Sequence, residues 1–188
     1  GWSWRKGYGS AAIDGFNFMV NTAVPLGPNT ELYAFGGRNF RDTDAYAFSR
    51  SSFADGDNRS VPSLYPNGFT PHITSNITDV SASAGIRHTM NNGWVADFSN
   101  TYGSNLFHYY IKGTNNASMK DASPTDFDAG GHSLSQNVTG LDFSKYFEEI
   151  VSGLNLAYGL EYRTEQFGIF AGEEASYALY DNNGRPII

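Results

Sequence analysis

The chain has 188 residues, a formal net charge of −7 and no cysteine. The acidic balance excludes an ordinary nucleic-acid binder, which carries a basic face. The missing cysteine excludes a disulfide framework, a thiolate metal site and a cysteine nucleophile. Aromatic residues make up 15% of the chain, yet the mean hydropathy is −0.40. A soluble core with that many rings would carry more Leu, Ile and Val. A membrane β-barrel, with an apolar outer face, a polar lumen and aromatic girdles at its rims, reconciles the two figures.

No stretch approaches the roughly 20 consecutive apolar residues of a transmembrane helix. The opening Gly1-Trp2-Ser3-Trp4-Arg5-Lys6 lacks the apolar segment of an export leader. Both ends read as mid-loop sequence, so a piece of a longer exported chain is expected.

The first extended run covers residues 16–24, with Phe16, Phe18, Val20, Thr22 and Val24 on one face and Asn17, Met19, Asn21 and Ala23 on the other. This is strand alternation. It stops at Pro25-Leu26-Gly27-Pro28-Asn29, a turn sequence. The second run, 30–41, has two competing apolar faces, Leu32/Ala34 and Tyr33/Phe35. A polar connector follows over 42–76. The third run, 77–88, places Val80, Ala82, Ala84 and Ile86 together, and Asn91-Asn92-Gly93 closes it as a tight turn. The fourth, 94–109, is long for a globular strand, where about 5–6 residues is usual. A second long connector spans 110–131. The fifth run, 132–143, is weaker, with Leu141 and Phe143 as its best apolar pair, and a short connector at 144–152 follows it. The sixth is the clearest: Leu154, Leu156, Tyr158, Leu160 and Tyr162 alternate with Asn155, Ala157, Gly159, Glu161 and Arg163. The residues from Ala171 onward read as the start of another long loop.

Six antiparallel strands with alternating short and long connectors are what a transmembrane barrel shows, with short periplasmic turns and long extracellular loops. The competing architecture is a soluble antiparallel sandwich, for instance a secreted carbohydrate-binding module. It shares the alternation and the turn residues, but its loops show no strict short–long order. A passive porin would share the barrel.

Particular phrases carry a family resemblance. Phe18-Met19-Val20-Asn21-Thr22-Ala23-Val24-Pro25-Leu26-Gly27 followed by Glu31-Leu32-Tyr33-Ala34-Phe35-Gly36-Gly37 is one. Others are Asn58-Arg59-Ser60-Val61-Pro62-Ser63-Leu64-Tyr65-Pro66-Asn67-Gly68-Phe69, Asn92-Gly93-Trp94 with Ser99-Asn100-Thr101-Tyr102-Gly103, Ser123-Pro124-Thr125-Asp126-Phe127-Asp128-Ala129-Gly130-Gly131, and Asn155-Leu156-Ala157-Tyr158-Gly159-Leu160-Glu161-Tyr162-Arg163. In this order they resemble the barrel domain of TonB-dependent receptors, particularly of Bacteroidetes type. The resemblance covers most of residues 1–188, read as a central segment of that barrel. It implies a 22-stranded barrel in the bacterial outer membrane, with a plug in its lumen. It further implies a scarce nutrient (a metal chelate, cobalamin or a glycan) taken up from outside, and a periplasmic TonB-type energy transducer that grips a box ahead of the plug. The segment carries neither plug nor box, and six strands cannot close such a barrel, so its partners include the rest of the barrel, the plug and outer-membrane lipid.

Asp97, Glu161 and Arg163 are expected to face the lumen, because a charge against lipid at mid-membrane costs several kcal/mol, about 2–4 for Arg or Lys. There they could meet the plug by salt bridges or simply solvate a wet interior. Trp94, Tyr102, Tyr158 and Tyr162 are candidate girdle residues. Tyr65, Phe69, Tyr109, Tyr110 and Phe127 are candidate ligand contacts in the extracellular loops, against plain loop packing. His72, His108 and His132 also fall in or beside those loops, and none shows the spacing of a helical zinc site. The acidic stretches Asp55-Gly56-Asp57-Asn58 and 121–128 could bind calcium through oxygen ligands, though neither has EF-hand spacing and turn chemistry is the simpler account. No other cofactor is expected. Glu148-Glu149 and Glu173-Glu174 point apart on an extended strand, and no nucleophile elbow, P-loop or dinucleotide fingerprint occurs. A non-enzymatic protein is expected.

Overall fold

Alternating sequence becomes a six-stranded antiparallel meander in the computed structural model, which describes residues 10–187. The Gly1 to Lys6 opening lies outside the described residues. The strands are β1 (Ala12–Pro25), β2 (Thr30–Tyr46), β3 (His72–Thr89), β4 (Val95–Lys112), β5 (Asp126–Phe147) and β6 (Leu154–Phe170). Each pairs only with its sequence neighbour. The sheet does not close: β1 and β6 are its edges, and no second sheet packs against it among the described residues.

Turn chemistry sets the register. In the β3–β4 turn Gly93 adopts φ +83, and the hydrogen bonds Met90 N to Trp94 O (2.7 Å) and Gly93 N to Met90 O (2.9 Å) close it. The β1–β2 turn is closed by Leu26 N donating to Thr30 O at 2.8 Å. Because neighbouring strands run opposite ways, the three short turns gather at one end. The long connectors 47–71 and 113–125 gather at the other, with the tail from residue 171.

The strands are longer than expected, and mostly at the loop end. β2 continues from 41 to Tyr46, β3 begins at His72 rather than 77, and β5 begins at Asp126 rather than 132. Hydropathy alternation fades there while backbone pairing continues, because the extra rungs are polar pairs. Asn76 Nδ2 donates to Asp42 at 2.5 Å, Thr43 meets Ser75 at 2.5 Å, and His72 meets Asp44 at 2.7 Å. Each satisfies its partner, so no apolar residue is needed to hold the strands together.

Paired residues share a face, so the register sorts the whole sheet into two. One rung of the apolar face reads Val24, Leu32, Ile86, Phe98, Leu141, Leu160. A rung of the polar face reads Glu31, Arg87, Asp97, Asp142, Gly159. This settles β2: Leu32 is on the apolar face and Tyr33 on the polar one. The apolar face is largely uncovered, and Leu160 is 77% exposed. Its polar exceptions include Arg38, whose guanidinium lies 4.4 Å from the ring centre of Phe40 at the loop-side margin, and Asn100, which donates to Asn137 (2.9 Å) and Thr139 (2.8 Å) on the neighbouring strand.

The apolar band runs obliquely across this face. On β1 it spans Phe16 to Val24. On β6 it spans Leu154 to Tyr162, yet Leu160 is level with Val24 and Tyr162 with Thr22. Both margins therefore shift by six residues toward the turns over the five strand-to-strand steps. Rings mark the margins: Phe16, Phe40, Tyr102 and Tyr162 on the loop side, and on the turn side Trp94, whose ring lies 6.3 Å from Phe147 and 5.5 Å from Tyr158.

Candidate functional site

The polar face carries the connected chemistry. Near the turns, Asp97 accepts from the Tyr33 hydroxyl at 2.7 Å and from Arg87 Nε at 2.9 Å. The Arg87 guanidinium lies 5.3 Å from the Tyr33 ring centre. Tyr33 can lie flat only because its cross-strand neighbour is Gly85, where any Cβ would collide with the ring. An aromatic ring folded over a cross-strand glycine shields its bare backbone. Truncating Asp97 to Ala leaves the part-buried Tyr33 hydroxyl without this acceptor, while Arg87 keeps solvent and Glu31 at 3.9 Å, so a loss of about 1 kcal/mol is expected. Asp97→Asn, which keeps an acceptor oxygen, should lose less; equal losses in urea unfolding would contradict this assignment.

Glu161 and Arg163 share the face with Asp97 but form a separate group at the β6 edge. Arg163 pairs with Glu161 at 3.0 Å and approaches Glu165 at 3.8 Å. Nearer the loops, Arg41 Nη2 and Asn105 Nδ2 both donate to Asp79, at 2.6 and 2.7 Å. Beside them lies a contiguous set of rings. Phe107 is 4.5 Å from Tyr109 and stacks on His132 at 5.3 Å with 15° between planes, and His132 lies 6.0 Å from Phe167.

Above the rings, the long connectors fold together over the loop end of the polar face. Asn115 and Asn116 fasten them. Asn115 Nδ2 donates to Arg59 O (2.8 Å), and Asn116 Nδ2 to Ala175 O (2.9 Å) and Ala178 O (2.8 Å). Tyr65 OH donates to Thr114 O at 3.1 Å. Beneath this cap Phe69, Ile111, Phe127 and Ala178 line a cleft of about 380 Å³. Phe69 and Phe127 are each only 6% exposed.

The five loop-aromatic candidates therefore separate. Tyr65 and Phe69 are in a loop and stack on each other at 4.4 Å. Tyr109 and Tyr110 are in β4 and Phe127 in β5, where the polar rungs carry the strands past the expected loop boundary. Tyr109 and Tyr110 point to opposite faces, as adjacent strand residues must. Phe69 and Phe127 are packing residues of the cap. His72, His108 and His132 are strand residues too; His72 and His108 pair with Asp44 and Asp128 on the apolar face's loop-end margin. Nothing local in the sequence distinguishes Asn115 and Asn116 from other loop polarity.

In the two acidic stretches that could bind calcium, Asp55, Asp57 and Asp121 have other partners. Asp55 accepts from Ser52 at 2.7 Å, Asp57 holds Arg59, and Asp121 accepts from Ser63 at 2.5 Å. Among the described residues no group of three or more His, Asp or Glu is placed to hold a metal. The two Arg59 side-chain bonds to Asp57, at 2.8 and 3.2 Å, with a third from the Arg59 backbone N–H at 3.1 Å, hold that carboxyl below its ordinary 3.8. A depressed carboxylate contributes stability that is complete above its unfolded value and lost as pH falls through the folded one. The contact between Asp57 and Arg59 should therefore hold at neutral pH and weaken as pH falls below 3.8. The Asp57 carboxyl signal in NMR should titrate with a midpoint under 3.8, and Arg59→Gln should move it back up; an unmoved midpoint would contradict the pairing.

Comparison with known proteins gives no match to a family model, a curated protein or a solved structure.

Proposed function

We propose that this chain is a stretch of barrel wall from a TonB-dependent receptor of the bacterial outer membrane. The apolar face meets lipid and the polar face lines the lumen. The long connectors form part of the extracellular cap.

The observation that carries this reading is the oblique apolar band. A drift of about 1.2 residues per strand, at a rise of about 3.3 Å and a strand spacing of about 4.8 Å, corresponds to a tilt of about 40°. Membrane barrels tilt their strands by about 35–45°, and a horizontal slab of lipid cutting such strands leaves this kind of diagonal. The band's height, nine residues on both β1 and β6, suits the roughly 9–11 that cross the hydrocarbon. Rings at both margins suit the two interfaces. Open edges at β1 and β6 call for further strands, because an unpaired strand edge in lipid leaves each backbone polar group several kcal/mol out of balance.

The receptor class rests on the sequence resemblance. It assigns the remaining strands, a plug, an energy transducer and an extracellular nutrient as partners, and uptake rather than catalysis as the activity. The test is fractionation of the native protein followed by uptake. The protein should stay in carbonate-washed outer membranes and need detergent for extraction, and nutrient accumulation should stop when the proton-motive force is collapsed. A freely water-soluble protein would sink the barrel. Uptake that continues without the proton-motive force would leave a passive porin.

A further inference from the structure

We propose that the polar face carries a saccharide-binding strip just beneath the folded connectors, and that the nutrient is a carbohydrate; this rests on that face lining the lumen. Two adjacent rungs make the strip. One reads Arg41, Ile77, Phe107, His132, Ile169, and the other Asn39, Asp79, Asn105, Leu134, Phe167. Its β4–β6 side is aromatic, with Phe107 and His132 stacked face to face and Phe167 continuing the surface. Its β2–β4 side is a hydrogen-bonding cluster, Arg41 and Asn105 converging on Asp79. Asn39 Oδ1 and Arg41 Nε have no partner among the described residues.

This combination suits a sugar ring. One face of a pyranose is a sheet of C–H bonds that packs on the electron-rich face of an aromatic ring. Its rim is hydroxyl groups, which both donate and accept and so match Asn, Asp and Arg together. Phe69 and Phe127, in the cap above, are covered by other side chains, whereas Phe167 is 61% exposed on the edge strand β6, beside Leu134 and Ile169. An anionic metal chelate would call for free cations, and the strip's one arginine is already bound to Asp79.

The receptor in detergent, titrated calorimetrically with neutral α-1,4-glucan, β-1,4-xylan and β-1,4-mannan hexasaccharides, ferric citrate and cyanocobalamin, tests this. At least one hexasaccharide should bind. Phe167→Ala and Asp79→Asn should each weaken it by about tenfold or more, the scale of one lost anchoring contact, while Leu160→Ala on the opposite face leaves it unchanged. Phe107→Ala is the stronger variant, and exposed Phe167 is the one that keeps its fold. Binding of ferric citrate or cobalamin without any hexasaccharide overturns the proposal. So does saccharide binding that survives Phe167→Ala and Asp79→Asn, or no binding by a protein that keeps its β-sheet circular dichroism. Failure of the barrel reading is separate, because it appears as solubility without detergent, whatever the titration gives.

Discussion

Leu160→Arg should block membrane insertion of the protein or make it far less stable there. Leu160 lies inside the apolar band of β6 and is 77% exposed. In a water-soluble sheet an exposed side chain at that position would tolerate arginine within about 0.5 kcal/mol. Facing lipid, the same change costs about 2–4 kcal/mol near the midplane. Glu161→Leu, one residue on and on the other face, should be nearly silent. Urea titration of the protein in lipid vesicles, followed by heat-modifiable migration, separates the two environments. A neutral Leu160→Arg would place the band in water.

Gly130→Val should detach the 171–187 tail from the sheet. Between His108 and Tyr110 the β4–β5 register shifts, so that Ala129 and Gly130 together oppose Tyr109. This is a bulge, and Gly130 takes φ +71 to make it. A β-branched residue is strained there by about 1–3 kcal/mol. Its Cβ would also collide with the carbonyl oxygen of Phe170, where β6 leads into the tail. Next to it Asp128 holds the tail through its backbone, donating to Glu173 Oε1 at 2.9 Å and accepting from Glu173 N at 3.0 Å. Amide hydrogen exchange should therefore speed up across 171–187 and in the 113–125 connector fastened to it by Asn116. Acceleration confined to residues 129–131 would mean that the bulge does not anchor the tail.

What could be read from sequence follows what is local. Alternation and turn residues place all six strands and three short turns, because each signal lies within a few residues. The face of β2 is not legible, since Leu32 and Tyr33 compete until the register shows Tyr33 folded over Gly85, 52 positions away. The strand ends are not legible where apolar residues give way to pairs such as Asp44 with His72, which look like loop polarity until paired. The cap is hidden for the same reason. Phe69 and Phe127 meet only through chain folding, and no local pattern tells a covered ring from an offered one. On the polar face, Asp97, Glu161 and Arg163 were assignable by parity with Leu and Phe neighbours. Arg41, Asp79 and Asn105 were not, because they converge from three different strands.

The absence of cysteine makes the most direct measurement clean. Single cysteines placed in turn at positions 16–24 and 154–163, spin-labelled in lipid vesicles, report whether each site sees oxygen dissolved in lipid or a water-soluble nickel chelate. The account predicts alternation at every second residue. Positions 154, 156, 158, 160 and 162 should favour oxygen, and 155, 157, 159, 161 and 163 nickel. The deepest sites should be Val20 on β1 and Tyr158 on β6, although the register puts Tyr158 six residues turnward of the rung that holds Val20. Uniform nickel access on both faces, or greatest depth on β6 at Thr164, the residue level with Val20, would contradict a tilted wall in a bilayer.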